Sequence, residues 1–142
     1  GATVKGVTLE LRANFVKKIQ FETGFTIQSS EFDNAVEYIE GVEGIRKFTR
    51  TPNDYGYATL SFKQSKKFNA NLNYVYTGKM VMPHFAGAPN QLADEMYTSD
   101  AFTELSAKIG YTIEIEKTQS NLEFYGGVKN IFNSYQSNFD IG

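Results

Sequence analysis

The chain has 142 residues, 41% hydrophobic and 15% aromatic, a composition that folds and buries apolar surface rather than staying disordered. A formal net charge of −2, with lysine and arginine dispersed, leaves no basic stripe for nucleic acid, and the lack of cysteine rules out disulfides, a thiolate nucleophile and cysteine-held metal. No apolar run nears the roughly 20 residues of a spanning helix and no signal-peptide pattern is present, but strands cross a bilayer in about 9–11 alternating residues and keep mean hydropathy low, as here at −0.38.

The first predicted element sets Val7, Leu9, Leu11 and Ala13 against Thr8, Glu10 and Arg12, the period of two that a strand requires. A polar turn over 14–18 leads to a second strand, with Ile19, Phe21, Phe25 and Ile27 opposing Gln20, Glu22, Gly24, Thr26 and Gln28. A long loop follows over 31–55, in which residues 34–39 are expected to form a short helix, broken by Gly41 and Gly44. Thr51-Pro52-Asn53-Asp54 closes that loop with turn-forming residues.

The third strand places Ala58, Leu60 and Phe62 against Tyr57, Thr59 and Ser61, and a short turn over 64–67 joins it to the next. There Phe68, Ala70, Leu72, Tyr74 and Tyr76 alternate with Asn69, Asn71, Asn73, Val75 and Thr77, an aromatic wall backed by an amide wall. After a long loop over 81–100, Leu105, Ala107, Ile109, Tyr111, Ile113 and Ile115 oppose Ser106, Lys108, Gly110, Thr112 and Glu114. A turn over 117–121 introduces Leu122, Phe124, Gly126 and Val128 against Glu123, Tyr125, Gly127 and Lys129, and a third long loop begins near Asn133. Six two-faced strands with short turns at one end and long loops at the other describe an all-β, antiparallel up-and-down meander.

Alternation alone fits a soluble β-sandwich as well as a lipid-facing sheet. Three features favour lipid. Aromatic residues gather near strand ends on the apolar parity, at Phe15, Phe62, Phe68, Tyr74 and Tyr76, as interfacial girdles would. The opposite parity carries Glu10, Arg12, Glu22, Lys108, Glu114, Glu123 and Lys129 amid amides and hydroxyls, which suits a water-filled lumen and equally a solvent face. Finally, a membrane barrel closes with no fewer than about eight strands. Six therefore make either a soluble sheet or one section of a larger barrel.

The stretch NLEFYGGVKNIFNSYQSNFD at 121–140 resembles the penultimate barrel strand of TonB-dependent outer-membrane receptors. Gly127, Val128, Asn130, Ile131, Phe132, Asn133 and Tyr135 take the places of that family's strand-end motif. Arg50-Thr51-Pro52 with Tyr55-Gly56-Tyr57, and Tyr76-Thr77-Gly78-Lys79-Met80 running to Pro83-His84 and Ala86-Gly87, look like the Bacteroidetes branch. The resemblance spans essentially the whole chain as the carboxy-terminal part of a barrel of about 22 strands. The family's plug domain, energy-coupling box and final aromatic-ended strand have no counterpart in 1–142, so the chain is expected to be an excised carboxy-terminal segment, with Gly1 reading as a tag scar.

The resemblance implies that the parent protein takes up a scarce, bulky nutrient (ferric siderophore, haem, cobalamin or a glycan), driven by TonB through the missing plug. The excised segment alone is not expected to transport, and its bare edges and apolar wall are expected to make it self-associate. In that frame lipid meets the apolar parity, and Glu10, Arg12, Gln20, Glu22, Asn69, Asn71, Asn73, Lys108, Glu114, Glu123 and Lys129 face the lumen. His84, Phe85 and Tyr97, in the 81–100 loop, would meet the nutrient outside the cell. A lone histidine beside Met80 and Met82 lacks the second ligand that a metal or haem site needs, and packing on Phe85 is the plainer expectation. Ser61 and Ser106 have no histidine at a catalytic spacing, and Gly126-Gly127 lies within a strand with no helix after it, so neither a serine triad nor a phosphate loop is expected. No cofactor and no enzymatic activity is expected. The competing reading is a soluble β-sheet module that binds a ligand or a surface partner.

Overall fold

Alternating β-branched, aromatic and polar side chains favour extended backbone, and the chain forms nine strands and no α-helix among its described residues. The computed structural model describes residues 1–63, 65–87 and 91–136. Position 64 of the expected 64–67 turn, 88–90 of the 81–100 loop and 137–142 of the closing loop lie outside them.

The strands are β1 (Ala2–Phe15), β2 (Ile19–Val36), β3 (Ile45–Lys47), β4 (Asp54–Lys63), β5 (Phe68–Thr77), β6 (Val81–His84), β7 (Glu95–Thr98), β8 (Phe102–Ile115) and β9 (Ser120–Val128). β1, β2, β4, β5, β8 and β9 pair in that order into one antiparallel sheet, β3 adds to the far end of β2, and β6 and β7 form a separate hairpin. Every long pairing joins strands that are neighbours in the meander, so the sheet is open, with β1 and β9 at its edges.

Two expected loops contain strand. No helix forms over 34–39: β2 runs on to Val36, and a turn follows in which the Val42 N–H donates to the Ile39 carbonyl at 3.1 Å. Six residues are too few to hold a helix by themselves. The strand instead gains β1 on one side (Ala2↔Phe32) and β3 on the other (Val36↔Ile45), with the Phe32 and Phe48 rings 4.4 Å apart. Within the 81–100 stretch β6 pairs antiparallel with β7, and β8 starts at Phe102.

Among the described residues the buried apolar side chains, Ile39, Met80 and Met82, lie in or next to these loop segments. The sheet has no core of its own: Leu9 is 75% exposed, Leu11 57% and Ile109 57%. The substantial contacts between elements are those between hydrogen-bonded neighbours.

Candidate binding surface on the polar wall

Paired residues in an antiparallel ladder point to the same side, so the register tells which side chains share a wall. One line of pairs reads Ala13–Phe21–Leu60–Leu72–Ala107–Val128 across all six long strands. The apolar parities of six separate stretches thus join into one continuous wall without a slip. Along it, Phe62 and Phe68 meet edge to face at 6.3 Å near the short turns, and Phe25 and Tyr76 stack at 6.2 Å near the long loops. Aliphatic Leu11, Leu60, Leu72 and Ile109 lie between. The wall turns polar at its loop end, where the Tyr76 hydroxyl donates to Asp54 Oδ2 at 2.7 Å.

The opposite wall collects the polar candidates. Glu10, Arg12, Gln20, Glu22, Asn69, Asn71, Asn73, Lys108, Glu114 and Glu123 share it, while Lys129 lies just beyond the end of β9. Arg12 pairs with Glu22 directly across the ladder, and Gln20 Nε2 donates to the same carboxylate oxygen at 2.6 Å. The Thr59 hydroxyl donates to Asn73 Oδ1 at 2.8 Å, and Lys108 Nζ sits 4.6 Å from the centre of the Tyr125 ring, a cation–π contact. Cross-strand partners thus hold several of these side chains in place.

Two tyrosines join this wall that sequence reasoning did not single out as site residues, Tyr55 and Tyr57 of β4. Their signal was their spacing, two apart on the polar parity. Tyr57 is paired with Gly24 and its ring lies over the glycine: a Cβ on Gly24 would fall 2.6 Å from Tyr57 Cε1, so any side chain there would displace the ring. Beside these rings the wall has a hollow of about 570 Å³, bordered by Thr8, Glu10, Thr26, Pro52, Tyr55 and Tyr57 among others.

The loop candidates separate. His84, only 7% exposed, stacks on Tyr97 at 4.6 Å and 11° between ring planes, not on Phe85 as expected. Phe85, just past the end of β6, is exposed. The hairpin under His84 is a small packed unit: Met82 is 1% exposed, Ser99 Oγ accepts from Met80 N–H at 3.0 Å, and Arg50 N–H donates to the Val81 carbonyl at 2.8 Å.

The motif behind the family resemblance forms a tied turn. Asn130 takes φ +52°, its side chain receives Ser134 N–H at 2.9 Å and donates to the Ser134 carbonyl at 2.6 Å, and Ile131 N–H donates to Leu105 O at 2.7 Å. Gly127 lets β8 approach, since a Cβ there would lie 2.7 Å from the Ala107 carbonyl. Phe132 and Tyr135 are exposed.

Among the described residues no group of three His, Asp or Glu side chains is placed to hold a metal ion. Comparison with protein-family models, with curated proteins and with solved structures finds no match for this chain.

Proposed function

We propose that the chain is a wall section of a transmembrane β-barrel, part of a TonB-dependent outer-membrane receptor that takes up a scarce nutrient. The observation that carries this reading is the continuous apolar wall, six strands wide and covered by no second layer of described residues. A soluble sheet of this width would bury such a face beneath another layer.

The stagger of the hairpins supports the same reading. Following the pairs from the first hairpin, Phe15–Ile19–Phe62–Ala70–Ile109, brings its closing level to Ile109 of β8. The last hairpin closes six residues farther along, at Ile115↔Ser120. Six residues at about 3.4 Å rise roughly 20 Å, over four strand spacings of about 4.8 Å each. If the short turns lie at one membrane surface, the strands tilt roughly 45° from its normal, close to the value for membrane barrels. β1 and β9 would pair with further strands, since lipid tolerates no bare sheet edge.

The resemblance of the 121–140 stretch supplies the receptor family, and the polar wall then lines the lumen through which the nutrient passes. The test is fractionation of source cells with an antibody raised to the chain, followed by alkaline carbonate extraction. Signal retained in the outer-membrane fraction is the expected result. Signal in the soluble fraction would overturn the reading in favour of a soluble β-sheet binding module.

A further inference from the structure

We propose that the short-turn end of the sheet is a docking surface for anionic phospholipid headgroups, an inference that rests on reading the apolar wall as lipid-facing. The three short turns, 16–18, 64–67 and 116–119, carry Lys17, Lys18, Lys66, Lys67 and Lys117 against a single carboxylate, Glu116. The opposite end has the reverse balance: segments 31–55 and 78–101 hold nine carboxylates and four lysines or arginines. Charge is thus sorted between the two ends of the meander, although the whole chain has a formal net charge of only −2.

The five lysines are exposed, and none forms an ion pair among the described residues. Backbone bonds fix the turns that carry them: the Lys18 carbonyl accepts from Lys63 N–H and the Lys67 carbonyl from Thr112 N–H, both at 2.7 Å. Each turn also sits directly on the end of the apolar wall. Lys17 follows Phe15 by two residues, Lys67 precedes Phe68, and Lys117 follows Ile115 by two, and those three apolar residues all belong to the wall. With acyl chains against the wall, the ammonium groups stand at headgroup depth, because a lysine stem lies along apolar surface while its charge stays in water. The tilt that brings the short turns to one membrane surface brings all three lysine groups to that level.

Their spacing selects the partner. Successive short turns are two strands apart, roughly 10 Å at about 4.8 Å per strand. That exceeds the screening length of about 8 Å at physiological salt, so a compact anion such as free phosphate would meet one turn only. A charged plane meets all three at once, and a leaflet of anionic lipids is such a plane. An anionic cell-wall polymer would lie beyond the headgroups, farther from lysines tied so closely to the wall.

The test places the complete barrel in nanodiscs of phosphatidylcholine with a minor share of phosphatidylglycerol and reads by native mass spectrometry which lipids stay bound. Expected is enrichment of phosphatidylglycerol by roughly fivefold or more over its share in the disc, lost on combining Lys17→Gln, Lys66→Gln and Lys117→Gln and lost at high salt. Lys47→Gln with Lys79→Gln, at the loop end, should leave it unchanged. The salt series on the unaltered barrel reads the same charges without any substitution. No enrichment, enrichment that the triple variant leaves intact, or equal loss in the loop-end pair would overturn the proposal. Co-sedimentation with purified peptidoglycan, lost in the triple variant and without lipid enrichment, would overturn it in favour of the cell wall. Insertion into discs of phosphatidylcholine alone separates this inference from the barrel reading. A barrel that inserts there but shows no preference for phosphatidylglycerol sinks the headgroup surface alone, and one that enters neither disc sinks both.

Discussion

Val16 and Lys17 turn the chain from β1 into β2 with φ of +51° and +56°, and the turn is closed by the Lys18 N–H donating to the Phe15 carbonyl at 3.2 Å. Both lie in the left-handed region, where a β-branched residue is least at ease. Asn-Gly suits two such positions, so replacing Val16→Asn together with Lys17→Gly should stabilise the chain by about 1–2 kcal/mol. Urea unfolding of the complete barrel in vesicles checks this as a higher midpoint with an unchanged slope, and an unchanged or lower midpoint would contradict it. Asn130 is the opposite case, a residue type suited to φ +52° whose side chain also ties the turn to Ser134. The sequence motif around it was readable because its chemistry is local. Gly24 was not readable as part of a site, since its role appears only once Tyr57, distant in sequence, is laid over it.

At the scale of the element, alternation found all six long strands, because the side chains of an extended chain point to opposite sides whatever their neighbours. It missed β3, β6 and β7, which are too short to show a period and are held by pairing and packing. β2 shows the same limit from the other side, extending through 34–36, where β3 pairs with it at Val36↔Ile45. The β6–β7 hairpin makes a separate prediction. Met82 is its most buried residue, so Met82→Ala should cost the hairpin about 2–4 kcal/mol. Hydrogen exchange should quicken over 81–84 and 95–98 and stay slow in the β5–β8 ladder. Equal quickening of both would mean that the hairpin and the sheet fold as one unit.

For the whole molecule, the two walls should respond oppositely to charge. Leu72 lies midway along the apolar wall and Asn71 on the polar one. An arginine facing the bilayer midplane costs about 2–4 kcal/mol, so Leu72→Arg, carried in the complete barrel, should impair its insertion into vesicles while Asn71→Arg leaves it nearly unchanged. Flotation of the two variants measures the difference, and equal flotation would remove the distinction between a lipid wall and a lumen wall.

The sequence by itself determined which residues share a face within each strand, the antiparallel meander, and the polar and apolar characters of its two walls, because these follow from a period of two and from the lengths of neighbouring turns. Only the tertiary structure decided the register between strands, and with it the joining of six apolar faces into one wall, the six-residue stagger of the hairpins, and the meeting of Glu10, Gly24 and Tyr57 in one line. Register is a matter of hydrogen bonds between segments far apart in the chain, and it follows from how all the strands pair together rather than from the pattern of any one of them.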